Sequence, residues 1–355
     1  MYRRLGAVAL LGGAALTGPV GAATAGSPPL HCGDQVSTSI VLHQDLTCTG
    51  TALYLVIPQT GTLKVNLNGH RLTGDGTGTG LETATYHPVG EISGSLEVTS
   101  GTIAGFASAV VGPATPSPGL LNLTMRRVKL TGNGSWLPTA VMQNVLVDRA
   151  VITDSGPGGA RVDSQRFTLQ NSALTRSSVK SNSETNNYLY GNTFLGGNFY
   201  SGYSSNVTAV GNRFRDCGDG IRIAATDTYS TRVEQNAFRH CETGVRFDGM
   251  VLGTVTVKDN VFAENTVAGM TYLNQYNQDL QIIGNSFLRN TGDGLSGAET
   301  TSGSANGGGP TLISGNVANN NGGLGINVTG VVRDGGDNFA RRNGNPAQCA
   351  GVVCH

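Results

Sequence analysis

Short stretches of alternating apolar and polar residues fill the second half of the chain, with the two-residue period of strands that bury one face. Each stretch ends at an asparagine, and a phenylalanine usually follows two positions later. A second apolar segment comes next and is introduced by a glycine, as at residues 220–223 and 244–247. Each unit is therefore predicted to consist of a strand, a bend and a second strand. The alternating pairs before the asparagines are Val207 and Ala209, Thr231 and Val233, Val255 and Val257, Leu280 and Ile282, and Thr311 and Ile313.

This unit repeats at a nearly constant interval. A sixth copy, at Asn316, follows the others after 31 residues, and the flexible composition of residues 296–310 accounts for the extra length. A unit this short cannot bury its own apolar face, so the units are predicted to stack as coils of a solenoid, with strands pairing between neighbouring coils. The first five copies of the Asn-x-Phe motif begin at Asn192, Asn212, Asn236, Asn260 and Asn285, at intervals of 20, 24, 24 and 25 residues.

Stacking places equivalent residues in ladders along the solenoid axis. The phenylalanines from Phe194 to Phe287 are predicted to form a buried aromatic stack. The asparagines at the bends are predicted to hydrogen-bond amide to amide between coils. Less regular strands at similar spacing upstream extend the solenoid to about 12 coils between Thr47 and Asn343.

The chain begins with the features of a secretory signal peptide. Arg3 and Arg4 precede an apolar stretch at residues 7–16, and small residues at 23–25 form a cleavage site. We therefore predict a signal peptide over residues 1–25 and a secreted, extracellular protein.

The remainder, residues 26–355, is predicted to form a single β-helix domain. Its N-terminal cap is placed at 26–60 and its C-terminal cap at 340–355. No later apolar segment reaches the length that a transmembrane helix needs, so no membrane insertion is expected.

The charge balance argues against nucleic acid as a partner. The chain has 23 basic and 23 acidic residues, and removal of Arg3 and Arg4 with the signal leaves 21 against 23, a net charge of −2. Binding to nucleic acid or to an anionic membrane surface needs a concentrated basic face. Only 13% of the residues are charged and 53 are glycine, a composition typical of turn-rich β-structure.

Segments near both ends of the chain add to the repeats. They are Cys32-Gly33-Asp34, Asp45-Leu46-Thr47-Cys48, residues 67–74, and Asn345-Pro346-Ala347-Gln348-Cys349 with Cys354. Together with the Asn-x-Phe repeats they resemble the first coils, later coils and terminal cap of secreted right-handed parallel β-helix repeat proteins with the pectin-lyase type of fold. The resemblance implies an all-β, single-stranded right-handed parallel β-helix with disulfide-clipped terminal caps. It does not fix an activity, because the family includes lyases, hydrolases, epimerases and members without assigned chemistry.

Six cysteines in an exported chain favour disulfides. Cys217 and Cys241 each lie five positions after a repeat asparagine, so they are predicted to be stacked neighbours that form a bridge, with two buried thiols as the alternative. No Cys or His pairs occur at zinc-finger spacing, and we predict neither a metal nor a cofactor. The three predicted bridges are Cys32–Cys48, Cys217–Cys241 and Cys349–Cys354.

One ladder brings acid–base residues onto neighbouring coils. Four positions after the repeat asparagine stand Asp216, His240 and Glu264, and Arg289 follows in the next coil. The two carboxylates would lie two coils apart, roughly 9.6 Å, at the wide end of what an inverting glycosidase uses. The alternative is a salt ladder in which opposite charges alternate between coils. Asp216, His240 and Glu264 are therefore the catalytic candidates, with catalysis itself left open.

A second pair of carboxylates is too widely spaced for a shared catalytic role. Asp219 and Asp293 each precede a second strand, but they stand three coils apart, about 14 Å by the strand spacing, too far to share one glycosidic bond. Each is followed by glycine, and turn formation explains both Asp-Gly pairs.

Two further pairs are ligand-binding candidates. Arg222 and Arg246 are predicted to point outward from adjacent coils, where their guanidinium groups could hold a uronate carboxylate or simply be solvated. Tyr188 and Tyr190 fall on outward positions of one strand. Exposed rings of this kind stack on sugar faces, and the alternative is packing beneath a neighbouring loop.

The sequence favours a secreted β-helix that binds an extracellular or cell-envelope polysaccharide on its lateral face. One alternative is a polysaccharide lyase, glycoside hydrolase or epimerase that acts on uronate-containing glycans. Another is a structural surface protein.

Overall fold

The computed structural model describes residues 29–84, 94–112, 121–156, 159–181, 186–202, 206–224, 228–248, 251–274, 279–299 and 309–355. The predicted signal peptide at 1–25 lies outside them. In these ranges the chain is all-β and contains no α-helix. Accordingly, they include no helix of the length and hydropathy that crossing a membrane requires.

Every coil of the central repeats visits three sheets in turn, which we number 1, 2 and 3. A strand of sheet 1 is followed by a bend, a three-residue strand of sheet 2, a second bend and a strand of sheet 3. Each strand pairs in parallel with the equivalent strand of the next coil. The chain is therefore a right-handed parallel β-helix of about 11 turns, close to the 12 coils that its repeat predicts.

Some strands continue from one sheet into the next. Ser95–Ala104 and Leu121–Thr131 belong to sheets 1 and 2, and Leu137–Asp148 and Ala160–Gln170 run from sheet 3 into sheet 1. The other strands of sheet 1 are Ile40–Val41, Thr62–Asn66, Asn186–Tyr190, Asn206–Val210, Thr228–Glu234, Val251–Lys258, Leu280–Ile283, Leu312–Ser314 and Arg333–Gly336. The others of sheet 2 are Leu46–Thr47, Arg71–Thr73, Val151–Thr153, Ala173–Thr175, Thr193–Leu195, Arg213–Arg215, Ala237–Arg239, Val261–Ala263, Ser286–Leu288, Val317–Asn319 and Phe339–Arg341. The others of sheet 3 are Asp34–Val36, Leu53–Val56, Thr79–Ala84, Ser108–Val111, Val179–Ser181, Phe199–Gly202, Asp219–Ala224, Thr243–Phe247, Ala268–Asn274, Leu295–Glu299, Ile326–Thr329 and Cys349–Ala350.

Residues with left-handed backbone flank the short strands of sheet 2. Gln235 and His240 flank Ala237–Arg239, with φ angles of 54° and 53°. Asp216 and Glu264 adopt the same conformation after their own strands, with φ angles of 53° and 59°. The catalytic candidates thus occupy the bends between sheets 2 and 3, where the chain must turn sharply.

The interior contains the predicted phenylalanine stack. The rings from Phe194 to Phe287 are buried, and the centroids of successive rings lie 4.5 to 5.1 Å apart. A Cβ atom on Gly244 would lie 2.5 Å from Cδ1 of Phe262. The glycine that introduces the sheet 3 strand is therefore required by the packing of the aromatic stack.

The predicted asparagine ladder is also present. The side-chain amide of Asn212 donates to Oδ1 of Asn236 at 2.9 Å, and that of Asn236 donates to Oδ1 of Asn260 at 3.0 Å. A second ladder follows the bend after sheet 2, where the backbone N–H of Cys241 donates to Oδ1 of Asn265 at 3.0 Å. These bonds satisfy backbone groups that the bends leave unpaired.

All three predicted disulfides are formed. Cys217 and Cys241 join neighbouring coils with their Cα atoms 4.3 Å apart, which confirms a bridge rather than two buried thiols. The bridges near the ends are Cys32–Cys48 and Cys349–Cys354, with Cα separations of 5.5 and 6.2 Å.

Candidate functional site

Tyr188 and Tyr190 lie on the outer face of sheet 1. The strand Asn186–Tyr190 buries Asn187 and Leu189, so the alternation turns the two tyrosines outward. Their ring centroids are 6.1 Å apart with a 28° angle between the planes. The guanidinium carbon of Arg166 lies 4.7 Å from the centroid of Tyr188, a cation–π contact that fixes this ring. Tyr190 remains 36% exposed.

Arg222 and Arg246 are paired in register on the outer face of sheet 3, as predicted. Asp248 bridges them, because its two carboxylate oxygens accept from Nε of Arg222 at 2.8 Å and from Nε of Arg246 at 2.7 Å. Two like charges on adjacent strands repel each other. The shared carboxylate removes that repulsion and holds both guanidinium groups in place.

An aromatic ring extends this basic pair toward earlier coils. Tyr200 is paired with Lys180 on one side and with Arg222 on the other. The ring centroid of Tyr200 lies 5.2 Å from Nζ of Lys180 and 5.9 Å from the guanidinium carbon of Arg222. Sheet 3 therefore carries a continuous outward column of Lys180, Tyr200, Arg222 and Arg246.

Asp219 lies close enough to the arginine pair for the charges of Arg246 and Arg222 to act on its carboxyl, a relationship that the sequence did not predict. Burial raises the pKa of its carboxyl, the positive charges of Arg246 and Arg222 oppose that rise, and the negative charges of Asp248 and Glu242 add to it. The net shift is upward, which is the direction that suits a proton donor or acceptor near neutral pH.

Asp293 has a structural role. Its carboxylate accepts from the backbone N–H of Leu324 at 2.7 Å and from the side-chain amide of Asn327 at 2.8 Å. These bonds tie one coil to the next.

The ladder of Asp216, His240, Glu264 and Arg289 forms along the bends. Nε2 of His240 lies 2.8 Å from Oε2 of Glu264, and Nδ1 lies 3.4 Å from Oδ1 of Asp216. Arg289 donates to Oε1 of Glu264 from Nε at 2.9 Å and from Nη2 at 2.6 Å. The hydrogen bonds from Arg289 and His240 lower the pKa of Glu264. The arrangement is that of a salt ladder whose carboxylates are already paired.

The candidates thus fall on three separate surfaces. The tyrosines lie on sheet 1, the arginines on sheet 3, and the charged ladder on the bends that follow sheet 2. Within the described ranges, no three His, Cys, Asp or Glu side chains are grouped so that they could hold a metal ion.

The fold and this arrangement define a right-handed parallel β-helix with polar, aromatic-bearing lateral faces. Residues 131–287 match the family described as right handed beta helix region. No curated protein matches the chain. Among solved structures, the A-module of the Azotobacter vinelandii mannuronan C-5 epimerase AlgE6 is similar, with a TM-score of 0.54. The two are 14% identical over 90% of this chain and 91% of that one, a likeness of fold alone.

Proposed function

We propose that this protein binds an extracellular or cell-envelope polysaccharide on its lateral face. The observation that carries the proposal is the Tyr188–Tyr190 pair, two adjacent rings that face outward from a parallel sheet. Such rings offer apolar faces to the C–H faces of sugars, while their hydroxyl groups stay in water. The three disulfides and the right-handed β-helix fold, which is shared with a mannuronan epimerase module, support an extracellular role of this kind.

The proposal is tested by glycan-array binding of the Tyr188→Ala/Tyr190→Ala variant. The matched control is Thr208→Ala/Val210→Ala, which truncates the residues paired with the tyrosines in the next coil. We expect the tyrosine variant to lose binding to the glycans that wild type captures, and the control to retain it. Unchanged binding by the tyrosine variant would contradict the proposal that Tyr188 and Tyr190 form the glycan-binding surface. Failure of the wild type to bind any glycan would favour a structural surface role instead.

A second candidate is catalysis on a uronate-containing glycan at the sheet 3 surface. It is favoured by Asp219, a half-buried carboxyl with a raised pKa beside the paired guanidinium groups of Arg222 and Arg246. Nε of each arginine is engaged by Asp248, and no described residue hydrogen-bonds their terminal nitrogens. Those nitrogens could neutralise a uronate carboxylate while Asp219 transfers a proton, as a lyase, hydrolase or epimerase requires.

Asp219→Asn is the variant that separates catalysis from binding. Reducing-sugar release, unsaturated-product absorbance and uronate epimer composition would be followed on uronate and neutral polysaccharides. If wild type acts on one of them, the folded Asp219→Asn variant is expected to be inactive, while Asp259→Asn, which changes an exposed bend carboxylate, stays active. Full activity of Asp219→Asn would exclude Asp219 as the acid or base.

A further inference from the structure

The outer face of sheet 2 carries mostly positive charge. In the strands from Arg71–Thr73 to Phe339–Arg341 the residues that flank the central buried position belong to this face, and none of them is Asp or Glu. The first coil differs, because Asp45 directly precedes Leu46–Thr47 and accepts a hydrogen bond from the backbone N–H of Arg71. The chain as a whole balances 23 basic against 23 acidic residues, so the charge has been segregated. The basic residues on this face are Arg71, Lys129, Arg213, Arg215, Arg239 and Arg341.

Three of these arginines form a cluster on two adjacent coils. Arg215 is paired in register with Arg239, and Arg213 lies two residues before Arg215 on the same face. Neighbouring strands of a sheet are about 4.8 Å apart, so the backbones of Arg215 and Arg239 lie at about that separation and carry their two charges on the same face. All three side chains are exposed. Like charges directly opposite each other on paired strands destabilise a sheet.

The chain resolves the same problem differently on sheet 3. There the paired Arg222 and Arg246 share the carboxylate of Asp248. On sheet 2, Asp216 lies 3.3 Å from Nε of Arg215 and is itself shared with His240. Over the described part of the chain, no carboxylate lies within ion-pair distance of Arg213 or Arg239.

We infer that Arg213, Arg215 and Arg239 bind a carboxylate group of an acidic polysaccharide, which supplies the anion that Arg213 and Arg239 lack among the described residues. The planar guanidinium fork matches a carboxylate with two parallel hydrogen bonds. Leu195, 40% exposed, lies beside the cluster in the preceding coil and gives a sugar ring an apolar contact. The inference rests on the proposed polysaccharide binding, but it adds a site on a different sheet.

The surface does not have the features of a nucleic-acid site. Single strands bind by stacking bases on aromatic rings, and on this face the aromatic residue is Phe339, far from the cluster near the C-terminal end. Duplex binding depends on many phosphate contacts, whereas the compact cluster has three cations. A uronate chain, with a carboxylate and an apolar ring face in each unit, fits better.

The test is calorimetric titration of the whole mature protein with a polyuronate and with the same polymer after reduction of its carboxyl groups. The test variant is Arg213→Gln/Arg239→Gln, which leaves Arg215 and Asp216 intact. The control is Arg126→Gln/Arg333→Gln, which removes the same charge from exposed positions outside sheet 2. A third variant, Arg213→Lys/Arg239→Lys, keeps the charge and removes the fork.

We expect the Gln variant to bind polyuronate at least tenfold more weakly than wild type with a flatter salt dependence, the control to bind like wild type, and the Lys variant to fall between them. The reduced polymer is expected to bind through Tyr188 and Tyr190, so its affinity should be the same for wild type and for all the arginine variants. Polyuronate binding by the Gln variant equal to that of wild type would overturn the inference, even if glycan binding is shown to depend on Tyr188 and Tyr190. Tighter binding of an oligonucleotide than of polyuronate, lost in the Gln variant, would show that the assigned ligand is wrong.

Discussion

The side-chain oxygen of Asn260 accepts two hydrogen bonds from Asn236, one from its backbone N–H at 2.9 Å and one from its amide at 3.0 Å. The amide of Asn260 donates in turn to the carbonyl of Val233 at 2.8 Å and to Oδ1 of Asn285 at 3.0 Å. All three asparagines are buried. One side chain therefore joins three consecutive coils, because its partners lie in the coil before its own and in the coil after it.

Asn260→Ala is expected to destabilise the protein by at least about 3 kcal/mol, because it leaves several buried polar groups without partners at about 1 to 3 kcal/mol each. Asn206→Ala is the matched control, since Asn206 makes the same kind of bond to Asn186, but at the surface. Its cost should stay below about 1 kcal/mol. Denaturant titration of both variants measures the difference, and equal costs would mean that the buried ladder contributes nothing special.

Phe238→Ala is expected to cost about 3 to 5 kcal/mol, because it leaves a cavity inside a filled aromatic stack. The Phe238 ring is fully buried, with the centroids of Phe214 and Phe262 at 5.1 and 5.0 Å. Val151→Ala, at a position 46% exposed, is the control and should cost less than about 0.5 kcal/mol. A loss below about 1 kcal/mol for Phe238→Ala in the same titration would contradict a tightly packed core.

The repeat allowed the fold to be predicted from the sequence. A ladder position is defined by its distance from the repeat asparagine, so Phe238 and Phe262, or Cys217 and Cys241, could be paired without any knowledge of the loops. The same reasoning placed His240 beside Glu264. Periodicity predicts which residues become neighbours between coils.

Periodicity does not predict which side chains share a hydrogen-bonding partner. The bridge from Asp248 to both Arg222 and Arg246 depends on side-chain direction at the end of a strand. The raised pKa of Asp219 depends on how much of it is buried, which no spacing shows. The two-residue period turns Arg213 and Arg239 outward beside the buried Phe214 and Phe238, but their lack of a carboxylate partner among the described residues depends on the placement of all neighbouring side chains.

Asp219→Asn is expected to raise the thermal unfolding midpoint at pH 7. Burial raises the pKa of Asp219 above its ordinary value of 3.8, so folding disfavours its ionised form. Such a group contributes stability below its unfolded pKa, and that stability is lost as the pH rises through the raised folded pKa. The gain in the variant should therefore be larger at pH 7 than at pH 3, with Asp259→Asn as the control. A variant less stable than wild type at pH 7 would show that the attraction of Arg246 and Arg222 for the ionised carboxylate outweighs the cost of burying it.

Glu264→Gln is expected to show the opposite pH dependence. Hydrogen bonds from Arg289 and His240 lower the pKa of Glu264 below its ordinary value of 4.5. A carboxylate of this kind contributes stability above its unfolded pKa, and that stability is lost as the pH falls through the folded pKa. Thermal unfolding should therefore find the variant modestly less stable than wild type at pH 7, with a smaller difference at pH 3. An equal difference at both pH values would point to packing rather than charge.

Neither Asp216→Asn nor Glu264→Gln is expected to abolish any glycan-cleaving activity of the protein. A catalytic acid must hold a proton near neutral pH, yet the partners of Glu264 favour its ionised form, and Asp216 is paired with Arg215 and His240. The charges in this ladder compensate one another between coils, as surface ion pairs do. Reducing-sugar release and unsaturated-product absorbance on uronate and neutral polysaccharides provide the measurement. If wild type cleaves one of these polymers and either variant is inactive while still folded, the ladder takes part in catalysis and the salt-ladder interpretation is wrong.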